Sequence, residues 1–164
     1  MNNSFINVTV HECVHSFKEI AGIDLFPNQK QILKKDDLPY LDFSVMIGLI
    51  GKNIRCFIAI SMSNSFALAI AKKMTGTQYE KINEDVYDAI GEINNIISGR
   101  VKKQFDDMMP MSMSVPTIIH GDYSIFPPKD GDPVFINLPA ASPDVLILTL
   151  SLDSEEKSII GAGV

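Results

Sequence analysis

The apolar residues near the start of the chain recur with a helical period. Ile6, Val10, Cys13, Val14, Phe17, Ile20 and Ala21 line one face of a helix predicted over residues 3–22, with Gly22 as its stop. A polar connection rich in lysine and aspartate follows, running through QKQILKKDDLP. In DFSVMIGLIGKNIRCFIAISMS two apolar, β-branched runs flank Gly51-Lys52-Asn53, the pattern of a β-hairpin. SNSFALAIAKKMTG reads as a short helix, capped by Ser63 or Asn64, with lysines in its last turn and Gly76 just past its end.

The clearest helical pattern covers residues 83–108. Asn83 suits the N-cap, and Glu84, Asp85 and Asp88 place negative charge near the positive end of the helix dipole. The apolar stripe is Val86, Ala89, Ile90, Ile93, Ile96, Ile97, Val101 and Phe105, and Pro110 closes the segment. Beyond it, SMSVPTIIHG, YSIF, DPVFINLP and DVLILTLSL have strand character, separated by Pro, Gly and Asp turns. DSEEKSIIGAGV carries no pattern. One domain over residues 1–152 and a loose tail over 153–164 is the expected organisation.

The order of helix, hairpin, short helix, long helix and strands suggests two loose copies of a helix-then-strands unit. HSFKEIAG reaches Gly22 and EINNIISG reaches Gly99, with an isoleucine two positions before each glycine.

Charge and composition narrow the partners. A net charge of −6, with lysine pairs only at Lys34–Lys35, Lys72–Lys73 and Lys102–Lys103, argues against nucleic acid. No apolar run reaches membrane-spanning length and no leader pattern opens the sequence, so a cytoplasmic location without membrane attachment is expected. Cys13 and Cys56 lie in no C-x-x-C pair, and two reduced, mostly buried thiols are expected.

Two motifs compete for the chemistry. HECVH, residues 11–15, spells the H-E-x-x-H pattern of zinc peptidases, in which two histidines one turn apart share a metal and the glutamate acts on its bound water. At about 100° per residue, however, His11 falls on the flank of the apolar stripe and His15 nearly opposite it, both toward solvent. A third ligand is not evident, since His120 lies in a strand segment. Two surface histidines are the plainer reading.

On the long helix Asp88, Glu92, Asn95, Gly99, Lys102 and Asp106 project from the polar side. Glu92 and Asn95 are three apart and so are neighbours on that surface. A glycine inside a helix costs about 1 kcal/mol against alanine, which asks what Gly99 is for. On spacing alone a solvated face is the better reading, because two fixed letters are common in any helix.

DAIGEINNIISG, followed by SVPTIIHG and the terminal apolar strands, resembles the CheX type of the CheC/CheX/FliY phosphatases of bacterial chemotaxis. The hairpin and the short helix ending AKKMTG match that layout too, and the resemblance covers roughly residues 3–152. It implies an α/β fold of the α+β type: two pseudo-repeats forming a largely antiparallel central sheet with two long helices packed on it. It also implies an E-x-x-N site at Glu92 and Asn95, with Asp88 and Gly99 on the docking face. The first helix offers His15 and Lys18 at the corresponding positions, so one site is intact.

The implied activity is hydrolysis of the aspartyl phosphate on a CheY-like response-regulator receiver domain. Asn95 would position the attacking water and Glu92 would dock on the receiver's lysine. The Mg²⁺ would come from the receiver, and the chain would form a homodimer through sheet edges. A non-enzymatic receiver-binding adaptor on the same scaffold is the alternative, and an H-E-x-x-H zinc peptidase a distant third. Arg100, directly after Gly99, departs from the small or amide residue expected there. Its angle aims it at the core stripe, where it must snorkel or find a buried acceptor.

Overall fold

In the computed structural model, which describes residues 3–29, 31–123, 133–141 and 143–154, the predicted helices form close to their expected bounds. Helix α1 spans Asn3–Ala21, α2 Asn64–Thr75 and α3 Glu84–Phe105. Ser63 caps α2 by accepting from the Phe66 amide at 3.2 Å, and Asn83 caps α3 by accepting from the Val86 amide at 3.1 Å. Gly76 ends α2 in the left-handed conformation, at φ +74°, a backbone that glycine adopts at no steric cost.

Among the described residues seven strands pair antiparallel: β1 Gln31–Leu33, β2 Phe43–Gly51, β3 Ile54–Met62, β4 Met111–Met113, β5 Thr117–His120, β6 Val134–Pro139 and β7 Val145–Ser154. The order across the sheet is β1-β6-β7-β3-β2-β4, and β5 pairs with β2 on the same side as β4. This order supports the duplication. Exchanging β1 with β4/β5, β6 with β2 and β7 with β3 reverses the sheet onto itself. Each half contributes a long helix, short outer-strand pairing (β1 in the first, β4 and β5 in the second) and a hairpin, and the short strands of each lie outside the other half's hairpin.

Three details depart from the expectation. The segment SMSVPTIIHG is two strands, because the chain breaks at Ser114-Val115-Pro116 and proline has no N–H to continue the ladder. The polar connection after α1 holds strand β1, three residues paired to β6, which is too short to show a period. Strand β7 runs to Ser154, two residues into the expected tail, with Asp153 opposite Arg55 and Ser154 opposite Ile54. Most of YSIF and residues 155–164 lie outside the described residues.

The helices pack against one another and, through α3, against β2 and β3. The helix-facing side chains of the sheet, among them Val45, Leu49, Ile58, Ile60, Leu148 and Leu150, join Phe17, Ile70, Ile90, Ile93 and Ile97 in one core. Burying side chains of this kind contributes roughly 1.5–3 kcal/mol each, the main force holding α3 to the sheet. Cys13 and Cys56 are free and buried, as expected, and burial pushes the Cys56 thiol up to about 12 and the Cys13 thiol further in the same direction.

Candidate functional site

Helix α3 separates its residues into a buried and an open side. Of the expected stripe, all are buried except Ile96, which is half-buried. The buried arc is wider than the stripe, because Gly91, Asn94 and Ser98 also lie inside it. Of these, Asn94 reaches β2 and β3. A β-carbon at Gly91 would sit 3.8 Å from the Pro116 side chain, in ordinary contact.

The open side carries the expected residues. Asp88 and Glu92 are exposed, while Asn95, Gly99, Lys102 and Asp106 are half-buried. Lys102 and Asp106 pair with each other at 2.6 Å, and the ammonium holds the Asp106 carboxyl below the usual carboxylate range. Glu92 and Asn95 form no side-chain hydrogen bond or ion pair among the described residues. A β-carbon at Gly99 would meet nothing within 4 Å. The helix thus presents an acceptor-only carboxylate, an amide able to donate and accept, and a length of bare backbone on one solvent-facing surface.

The two asparagines of EINN behave oppositely. Asn95 faces outward, whereas Asn94 is fully buried and donates to the Val45 carbonyl at 3.0 Å and the Ile58 carbonyl at 3.2 Å. Sequence reading passed over Asn94, although it lies four residues after Ile90 and three before Ile97, which places it on the apolar face.

Arg100 finds its acceptors on α1. Its guanidinium donates to His15 Nδ1 at 2.9 Å, Ser16 Oγ at 3.1 Å and Glu19 Oε2 at 2.5 Å. Its stem crosses the helix interface and its head reaches partly into solvent, the snorkelling expected of a long cation on a buried face.

HECVH does not assemble into a metal centre. His11 and His15 are exposed with their rings stacked at 6.1 Å, but Nδ1 of His15 is taken by Arg100. Glu12 is buried, and its carboxylate lies 3.4 Å from His11 Nδ1. The histidines line a surface cavity of about 420 Å³ with Val10, Val14 and Leu25, and its one carboxylate, Asp24, is paired with Lys18 at 2.7 Å. Among the described residues no group of three or more His, Cys, Asp or Glu could hold a metal ion. No helix of the described residues is long and apolar enough to cross a membrane.

Together these features define a pseudo-duplicated α/β domain that offers an unpartnered carboxylate–amide pair on the open face of its second long helix. Residues 43–138 match the family model described as chemotaxis phosphatase CheX, and the chain belongs to that family. It is similar to the CheY-P phosphatase CheX of Thermotoga maritima, 21% identical over 123 residues, covering 74% of this chain and 78% of that protein. In fold it is similar to a CheC-like superfamily protein from Shewanella sp. PV-4, with a TM-score of 0.83 and 25% identity over 94% of this chain and all of that one. It also resembles a chain in the CheX–CheY–BeF₃–Mg²⁺ complex from Borrelia burgdorferi, with a TM-score of 0.73 and 15% identity over 92% of this chain and 98% of that one.

Proposed function

We propose that this chain accelerates hydrolysis of the aspartyl phosphate on a CheY-like receiver domain, with Asn95 and Glu92 as the working pair. The observation that carries the reading is the open, unpartnered Glu-x-x-Asn face of α3 on a CheX-family fold. In the reaction, water attacks phosphorus, the bond from phosphorus to the aspartyl oxygen breaks, and inorganic phosphate leaves a free carboxylate. Such transfers depend chiefly on positioning and on stabilising charge.

Asn95 supplies the positioning. Its Oδ1 accepts a hydrogen bond from the attacking water and its NH₂ remains free to donate, so it holds the water in line without serving as a base. Glu92, one helical turn away, accepts from the receiver's lysine and fixes the docking register. Gly99 lets the receiver's surface approach the helix backbone, and Asp88 extends the same face. Mg²⁺ belongs to the receiver in this scheme, a reading supported by the Borrelia complex, which holds CheY and Mg²⁺ together. A homodimer through sheet edges completes the proposal, β1 and β4/β5 being the outermost strands.

The test is loss of phosphate from a phosphorylated receiver with and without the purified protein. Acceleration that disappears in Asn95→Ala, with folding intact, supports the scheme. Phosphorylation-dependent binding with no change in rate would make the chain an adaptor instead.

A further inference from the structure

Asn94 joins α3 to two strands at once. One Nδ2 donates to Val45 of β2 and Ile58 of β3, neighbouring strands paired Val45 to Ile60 and Ile47 to Ile58. Each carbonyl has two lone pairs and can accept this bond in addition to its place in the ladder. With both amide hydrogens committed to fixed points on the sheet, the helix has little freedom to roll at this position. An apolar side chain would pack there without any such direction, because hydrophobic contact is not directional.

The arrangement has a cost. Asn94 is 0% exposed and its Oδ1 has no hydrogen-bond partner. A buried, unsatisfied acceptor typically costs about 1–3 kcal/mol. Gap filling alone does not account for it, since an apolar side chain could occupy the space without burying a polar atom. The residues whose direction depends on this point are its neighbours Glu92 and Asn95.

We infer that Asn94 is a positioning residue that fixes the rotation of α3 about its axis and so aims Asn95 and Glu92 at the receiver. This rests on the reading of those two residues given above. Side-chain groups lie about 6 Å from a helix axis, so a roll of about 20° moves them by about 2 Å. A misplacement of about 1 Å can cost about a hundredfold in rate, which makes the roll of α3 a sensitive variable.

The test compares Asn94→Leu, which keeps the branched shape at greater bulk and removes both donors, with Asn94→Thr, which is smaller and keeps one hydroxyl donor. For Asn94→Leu the expected result is a fall in kcat of about tenfold or more with KM within about twofold, partly restored in Asn94→Thr. In the free protein, amide exchange across residues 92–99 should speed up in Asn94→Leu. Wild-type kcat and wild-type exchange in that variant would overturn the inference, as would an activity loss no larger than the unfolded fraction. Should Asn94→Leu fail to fold, Asn94→Thr carries the same measurements, with an intermediate effect expected and none overturning the inference. A wild-type protein without effect on any phosphorylated receiver defeats the phosphatase reading instead, and the exchange data alone then decide the role of Asn94.

Discussion

Arg100 on α3 and Glu19 on α1 form an ion pair of 2.5 Å that ties the two pseudo-repeat helices together. The Arg100 guanidinium, by hydrogen bond and by charge, holds the Glu19 carboxyl below the usual carboxylate range. The pair contributes stability above the ordinary carboxylate pKa, and that contribution is lost as pH falls through the lowered folded value. Arg100→Ala should therefore destabilise the protein modestly at neutral pH, as expected for a solvent-screened pair. Urea unfolding of both proteins should show that difference shrinking as pH is taken below about 4, where the ordinary carboxylate protonates.

The same guanidinium bears on zinc. A metal at His11 and His15 would have to compete with Arg100 for one side of the His15 ring, and the described residues supply no third ligand. Protein purified without chelator is expected to hold no stoichiometric zinc by elemental analysis. His11→Ala should leave receiver dephosphorylation unchanged, since that side chain lies on α1 rather than on the Glu92 face.

Much of the fold was legible because its long helices keep a clean period and its long strands are apolar runs bounded by turns. The β2–β3 hairpin shows as two apolar runs around a Gly-Lys-Asn turn, α3 carries an isoleucine stripe, and Asn83 marks its start. Strand β1 was not legible: three residues on a sheet edge, with Ile32 71% exposed, leave no alternation to read. The two glycines, by contrast, were legible, because the stripe ends at Ala21 before Gly22 but runs on past Gly99 to Val101 and Phe105. Gly22 lies just past the end of α1 at φ +60°, whereas α3 continues through Gly99 to Phe105.

The site was half legible. Glu92 and Asn95 could be chosen by spacing, but the opposite fates of Asn94 and Asn95 depend on sheet carbonyls that no sequence pattern displays. Arg100 announced itself only as a conflict, a charge aimed at an apolar face. Its resolution needed the acceptors of α1, more than eighty positions away in sequence.

Glu92 and Asn95 should separate kinetically. If Glu92 docks on the receiver's lysine, its contribution is present in both the bound and the reacting complex, so Glu92→Ala should raise KM more than it lowers kcat. That effect should weaken as salt rises, because the ion pair is screened. Asn95→Ala should instead lower kcat by about a hundredfold or more with little change in KM, the signature of lost positioning. Steady-state rates against receiver concentration at two ionic strengths test both.

Gly99 offers the sharpest separation of stability from function. A β-carbon there would meet nothing within 4 Å, and α3 runs through the position without a break. Alanine fits the free protein and should stabilise it by about 1 kcal/mol, the difference in helix propensity. If the bare backbone is kept for a partner, Gly99→Ala should lose receiver dephosphorylation while melting at a higher temperature than the wild type. The added methyl would stand where the receiver's surface approaches, so the loss should appear chiefly as a raised KM. A variant both more stable and fully active would mean that Gly99 serves no docking purpose, and the close approach assigned to this face would have to be abandoned.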